Sequence, residues 1–198
     1  MEFFVRPVGD AQANAYIVFD PAREDALVID PGAEPELLRM ALGARALAGI
    51  LLTHGHGDHI GAVAALRGPQ TPVYIHEADA PMLTNPNLSL SVMLGGKPSQ
   101  GEPDFCFTEG ELTVAGVTFT VLHTPGHTPG SVCFGCGDAL FTGDTLFQAA
   151  VGRTDLPGGD TRALGRSIRR LMRLPPETRV FPGHGASTTI GAEGRYYS

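Results

Sequence analysis

Six consecutive residues, His54-Gly55-His56-Gly57-Asp58-His59, hold three of the chain's seven histidines together with an aspartate, straight after the apolar run Ala48-Gly49-Ile50-Leu51-Leu52. Imidazole and carboxylate groups crowded together are costly to bring near one another, and a divalent cation is what makes such a cluster favourable. Spacing adds a second argument. In extended backbone, residues i, i+2 and i+4 point the same way, so His54, His56 and Asp58 are expected to converge at the end of a strand. His59, one residue on, must point elsewhere, to a second metal or to a supporting role outside the first metal's ligands.

Three further polar sites follow apolar stretches: His123-Thr124-Pro125-Gly126-His127-Thr128-Pro129-Gly130-Ser131, Phe141-Thr142-Gly143-Asp144-Thr145-Leu146-Phe147, and Pro182-Gly183-His184-Gly185. Each sets a ligand-type residue beside glycine, which lets backbone turn tightly and approach a centre closely. A Gly-Asp turn or a single His beside Gly is common on its own; four such sites in one chain are not. Loops at a sheet's edge are where residues of this kind gather.

The elements that must do the gathering are short. Strands are expected at 3–8, 15–19, 26–30, up to 53, at 73–75, and again at 105–107, 111–114, 117–122, 131–134, 139–142 and 178–181, each rich in Val, Ile or Phe and bounded by turn residues. Helices are expected at 34–42, 60–66, 77–83 and 160–174, the last from Leu164, Ile168, Leu171 and Met172 at helical spacing, with Pro175-Pro176 ending it. Asp30-Pro31-Gly32 reads as a turn. Residues 84–102 are irregular yet carry Leu88, Leu90, Val92, Met93 and Leu94, which suits either a wall of a cleft or a surface excursion. Strands outnumber helices, so sheets between helical layers are the natural architecture, in the α+β class. No linker or short-period repeat interrupts the 198 residues, which read as one domain.

Composition excludes several classes. The chain is 42% hydrophobic and 18% charged, as soluble globular proteins are. Net charge is -7, and the densest basic run, Arg166-Ser167-Ile168-Arg169-Arg170, reads as the solvated face of a helix, so nucleic acid is not an expected partner. No apolar run is long enough to cross a bilayer and the first residues lack a signal-peptide pattern, so a cytoplasmic location is expected. The three cysteines are an odd number, and Cys133-x-x-Cys136 has no second pair to complete a zinc ribbon, which leaves core packing as its expected role.

With these residues in view, the chain resembles the metallo-β-lactamase superfamily and, within it, the glyoxalase II-like (hydroxyacylglutathione hydrolase-like) hydrolases. The resemblance rests on Thr53-His54-Gly55-His56-Gly57-Asp58-His59, Thr124 to Gly130, Gly143 to Phe147 and Pro182 to Gly185, and spans the chain from Asp30-Pro31-Gly32 onward. It implies a four-layer αβ/βα sandwich with metals at one edge of two sheets. Carried onto these positions, it implies His54, His56 and His127 around one metal, Asp58, His59 and His184 around another, and Asp144 bridging both. His123 precedes the matching motif and is expected at a strand end or behind the ligands. His76 lies outside every motif and is expected on the surface. The implied cofactors are two divalent ions; donors without thiolate suit zinc, and iron or manganese as well.

The implied chemistry is hydrolysis by a hydroxide shared between two metals, oriented by Asp58, at the carbonyl of a small-molecule thioester such as hydroxyacylglutathione or a similar thiol conjugate. No Ser/His/Asp or Cys/His nucleophile competes, since the histidines are committed. The loop Gly152-Arg153-Thr154-Asp155-Leu156-Pro157-Gly158-Gly159-Asp160 resembles its counterpart in small bacterial members; Arg153 is expected to contact an anionic substrate or to pair with Asp155 or Asp160. Fewer than fifteen residues follow His184, so the helical domain that grips glutathione in full-length glyoxalase II is expected to be missing. The same ligands also suit a persulfide dioxygenase with a single iron, a lactonase or a β-lactamase-like hydrolase, or a metal-binding fold without chemistry.

Overall fold

The strands at 13–19, 25–29 and 139–143 are buried along nearly their whole length, the pattern of strands covered on both faces, whereas the one at 117–123 alternates buried and exposed residues. In the computed structural model, which describes residues 1–93 and 99–197, six strands form one sheet in chain order: β1 (Glu2–Val8), β2 (Ala13–Phe19), β3 (Asp25–Ile29), β4 (Ala46–Leu51), β5 (Val73–His76) and β6 (Phe105–Phe107). The first three are antiparallel and the rest join in parallel. The second sheet contains β7 (Gly110–Val114), β8 (Val117–His123), β9 (Val132–Cys136), β10 (Ala139–Gly143), β13 (Arg179–Pro182) and β14 (Thr188–Thr189), in the order 14-13-10-9-8-7. A hairpin, β11 (Leu146–Phe147) with β12 (Ala150–Val151), follows β10.

The two faces of each sheet go to different cores. Ile17, Val28 and Ile50 face outward onto α1 (Pro35–Leu42), α2 (Gly57–Ile60), α3 (Val63–Leu66) and a 3₁₀ helix, Glu77–Leu83. Val18, Leu27 and Leu51 face inward and meet Phe119, Phe134 and Phe141 of the second sheet. On that sheet's far side Cys133, Leu140 and Val180 pack on α4 (Thr161–Leu171) and α5 (Ile190–Tyr197). The layers therefore run helix, sheet, sheet, helix, the expected αβ/βα sandwich. Cys133 is a core residue, its thiol pushed up to about 12 by burial.

Local differences from expectation have local causes. The helix expected at 60–66 starts earlier, at Gly57, and breaks at Gly61, where a side chain would meet the Gly32 carbonyl at 2.3 Å. The helix expected from 160 starts one residue later because Asp160 caps it, accepting from the N–H groups of Arg162 and Ala163 at 2.8 and 2.9 Å. α5 has no counterpart in the sequence reading, since Gly191 and Gly194 are poor helix formers. Of the irregular stretch at 84–102, Ser89 and Ser91 are buried against α2, with Gly57 N–H donating to the Ser89 carbonyl at 2.7 Å, while Val92 and Met93 are exposed; Leu94 and the rest of 94–98 lie outside the described residues. Among the described residues, no helix is long and apolar enough to cross a membrane.

Candidate metal centre

The chain leaving β4, β8, β10 and β13 meets at one edge of the sandwich. Asp144 follows β10, His184 follows β13, His127 lies on the loop after β8, and residues 53–59 follow β4. The expectation that His54, His56 and Asp58 converge fails at Asp58. After His56 the backbone turns helical, and successive residues of a helical turn lie about 100° apart, so Asp58 and His59 can serve one centre. His54 and His56 join His127 instead, while Asp58 and His59 join His184.

Asp144 lies between the two groups. Its carboxylate is 3.6 Å from His127 Nε2 on one side, and 3.3 and 3.6 Å from the Nε2 atoms of His59 and His184 on the other. His184 Nε2 is also 3.3 Å from Asp58 Oδ2. Gly183 makes this approach possible, because a side chain there would meet Asp144 Oδ1 at 2.2 Å.

Hydrogen-bond partners behind the rings decide which nitrogens face the centre. A carbonyl can only accept, so His127 Nδ1 donates to the Arg153 carbonyl at 2.8 Å and His184 Nδ1 to the Ala11 carbonyl at 3.1 Å. His59 Nδ1 donates to Asp30 Oδ2 at 3.1 Å. Thr53 Oγ1 gives its proton to Asp30 at 2.6 Å and so accepts from His54 Nδ1 at 3.1 Å. In neutral rings, Nε2 of all four is then a bare lone pair. His127 Nε2 nonetheless sits 2.9 Å from His56 Nδ1, and His59 Nε2 sits 3.2 Å from His184 Nε2. The His59 and His184 lone pairs repel at that distance unless a cation or a proton lies between them, while His56 Nδ1 either donates to His127 Nε2 or shares a cation with it. Nitrogens sharing one zinc ion at 2.0–2.1 Å would be roughly 3.3 Å apart, close to these separations. His54 Nε2, His56 Nε2 and Asp144 Oδ1 are buried with no hydrogen-bond partner among the described residues. Each such orphan costs roughly 1–3 kcal/mol. The donor set therefore fits divalent ions, and His54/His56/His127 and Asp58/His59/His184 could each hold one.

Ionisation divides the site in the same way. Burial drives His54 far below the usual imidazole range and His56 down to about 4, each further disfavoured by neighbouring imidazoles. Burial also opposes a proton on His59 and on His184, but Asp144 and Asp30 around the first, and Asp58 and Asp144 around the second, outweigh it and raise both. Burial alone would raise the Asp58 and Asp144 carboxyls; His184 and His59 hold them low instead. In the metal-free site a proton on His59 thus does a cation's work, and metal binding must displace it.

Two carboxylates beneath the site escaped the sequence reading. Asp30, read as a turn residue, is buried with φ at 53° and accepts from Thr53 N–H, Thr53 Oγ1 and His59 Nδ1. Asp79, on the 3₁₀ helix, is fully buried and also supports the ligand loops. Only an acidic residue inside an otherwise apolar helical stretch hinted at it. The surface expectation for His76 is wrong. It is buried, it caps the 3₁₀ helix by accepting from Ala78 N–H at 3.2 Å, and it stacks on His123 with ring centroids 4.2 Å apart. His123 lies outside both groups, as expected, and donates Nε2–H to the Pro129 carbonyl at 2.9 Å. His123→Ala is therefore expected to keep the wild-type metal content while losing about 1–2 kcal/mol of stability from that bond and stack. Metal analysis beside a thermal melt checks this; loss of a metal would put His123 among the ligands.

Arg153 pairs bidentately with Asp155 at 2.7 and 2.8 Å, not with Asp160, which is committed to capping α4. Both partners are largely exposed. With Leu90, Met93 and Leu156, Arg153 lines a cleft of about 340 Å³ that opens over His56, Asp58, His127, Asp144 and His184.

Residues 8–184 match the sequence model of the Metallo-beta-lactamase superfamily. Hydroxyacylglutathione hydrolase GloC of Haemophilus influenzae is 38% identical, over 98% of this chain and 96% of its own length. Among solved structures, the BLEG-1 B3 metallo-beta-lactamase is similar at 42% identity and a TM-score of 0.91, covering 99% of this chain and 98% of its own. TTHA1623 in a di-iron-bound form is similar at 44% identity and a TM-score of 0.87, covering 97% of both chains. The sandwich, the two ligand groups at its edge and a match across most of the sequence agree: this chain belongs to the metallo-beta-lactamase superfamily.

Proposed function

We propose that the chain is a metal-dependent hydrolase that cleaves a thioester, of the hydroxyacyl-thiol type, with two divalent ions. In this reading His54, His56 and His127 hold one ion, Asp58, His59 and His184 the other, and Asp144 bridges them. The observation that carries it is the carboxylate of Asp144 between two histidine groups whose ring nitrogens face one another at 2.9 and 3.2 Å. Zinc suits these donors, as do iron and manganese, and the di-iron form of TTHA1623 supports the two-ion reading. When bound, the ions supply activated water near neutral pH and polarise a carbonyl oxygen.

The chain's own residues do the rest. Asp58 accepts a hydrogen bond from the attacking water and turns its lone pair toward the carbonyl carbon. Leu90, Met93 and Leu156 keep one wall of the cleft apolar, where part of the substrate rests. Arg153, if it releases Asp155, meets an anionic end of the substrate. The leaving group favours a thioester over an amide or an ordinary ester. A thiol ionises near pH 8.5, so a thiolate departs without being protonated first. An amine or alkoxide needs an acid, and the acids and imidazoles lining the described cleft are engaged with the ions in this reading. The GloC relative supports the same substrate class.

The decisive experiment is metal analysis of the purified protein with thiol release from S-D-lactoylglutathione, run beside oxygen uptake on glutathione persulfide and hydrolysis of a β-lactam and a lactone. About two metals per chain with thioester turnover is expected. One iron with oxygen consumption, or lactam or lactone turnover well above thioester turnover, would overturn the reading.

A further inference from the structure

The 3₁₀ helix Glu77–Leu83 is a plate against which two ligand loops are pressed. Gly55, between His54 and His56, lies on it so closely that a side chain would meet Met82 Cβ at 2.5 Å. Gly130, on the loop that carries His127, touches Asp79, where a side chain would come within 2.7 Å of its carboxyl carbon. The Asp79 carboxylate joins the two loops. Oδ2 accepts from Gly55 N–H at 3.1 Å and from Thr128 Oγ1 at 2.6 Å, and Oδ1 accepts from Gly130 N–H at 2.6 Å. Thr128 is the residue next to His127. Gly55 and Thr128 thus flank the three histidines of one group, and none of the three donors adjoins a residue of the other.

We propose that Asp79 is a positioning residue that sets the metal affinity of the His54/His56/His127 group selectively; in the Asp58/His59/His184 group the ring of His59 is held by Asp30 and that of His184 by the Ala11 carbonyl. Asp79 lies outside each ligand group, so it acts through the loops. A fully buried carboxylate with no cation of its own is costly, and three charge-assisted hydrogen bonds offset that cost only while both loops stay on the helix. The same bonds fix the spacing between β4's exit and the loop after β8, which is the spacing between His56 and His127. The inference rests on the two-ion reading above but is indifferent to the substrate.

The test is a zinc titration of the full-length protein followed by histidine ring ¹⁵N signals, which report each imidazole separately. In wild type two sets of rings are expected to respond; a single set would sink the two-ion reading itself. In Asp79→Asn, which keeps the size but turns an acceptor into a donor, the His54, His56 and His127 responses should shift to about 10–100-fold higher zinc. The His59 and His184 responses should move less than threefold. Thr128→Val removes one donor and should give the same selectivity in weaker form, and Thr128→Ser, which keeps the hydroxyl, should titrate as wild type. A merely structural role would weaken both sets together. Parallel weakening of both sets, or no weakening of the first, overturns the proposal. If Asp79→Asn does not fold, the Thr128 pair decides by the same criteria.

Discussion

Replacing Asp144 by Asn should lower metal content from about two to one or fewer per chain and reduce thioester turnover by about three orders of magnitude. The carboxylate is largely enclosed, it lies near His127 on one side and His59 and His184 on the other, and its Oδ1 is buried with no hydrogen-bond partner among the described residues. Asn has nearly the same shape, so Gly143 and Gly183, whose backbones hydrogen-bond beside it at 2.8 Å, keep their places. What is lost is one negative charge between two ions and one of two equivalent oxygens. Several kcal/mol of transition-state charge stabilisation depend on that arrangement, and about 4 kcal/mol corresponds to a thousandfold in rate. Metal analysis, thioester kinetics and circular dichroism on the same preparation check it; wild-type metal content and turnover would remove Asp144 from the bridging position. By contrast the Arg153–Asp155 pair is exposed and screened by solvent and adds little to stability, so a large effect of Arg153→Ala on KM would have to come from substrate.

Stripping the ions with a chelator should abolish activity and lower the melting temperature by about 8–16 °C, both restored by adding zinc back. An ion present at a thousand times its dissociation constant stabilises the native state by about 4 kcal/mol, and each kcal/mol moves the melting point of a chain this size by about 2–4 °C. Without the ions, His54 Nε2, His56 Nε2 and Asp144 Oδ1 are left buried with no hydrogen-bond partner among the described residues, which adds to the cost. The direction with pH follows from His59 and His184, which hold protons above the usual imidazole range in the metal-free site. An ion must displace those protons, so its affinity rises with pH through neutrality and stripping should be easier at pH 6 than at pH 8. A chelated protein that melts with the holoprotein would contradict the metal-centre reading. Ions retained equally at both pH values would contradict the proton exchange.

Much of the fold and of the candidate site was legible in the sequence because clusters of ligand-type residues stand out. Histidines and aspartates beside glycines at strand ends have few other uses, and His54, His56, Asp58, His59, His127, Asp144 and His184 all arrive at the same sheet edge. The alternation of residues 13–19 or 25–29 could show that both faces are covered, but not which core each face meets. The division of Asp58 from His54 and His56 depended on one backbone change at Gly57, which spacing alone cannot register. Asp30 and Asp79 stayed invisible for a different reason. Their role lies in what they accept from residues 23 to 51 positions away, and a lone acidic residue in a turn or helix looks the same whether it faces water or a buried amide. His76 was misread on the same account: a histidine at a strand end carries no mark of the ring stacked upon it.

The contacts between His56 and His127 and between His59 and His184 close loops of 71 and 125 residues. Contacts of that sequence separation are entropically expensive to form and come late in folding. Neither sheet alone carries a full ligand group, since His54, His56, Asp58 and His59 leave the first and His127, Asp144 and His184 leave the second. An ion therefore gains little from a half-formed chain and much from the docked pair of sheets. It should slow unfolding far more than it speeds folding, acting as a latch on the finished topology rather than as a seed for it.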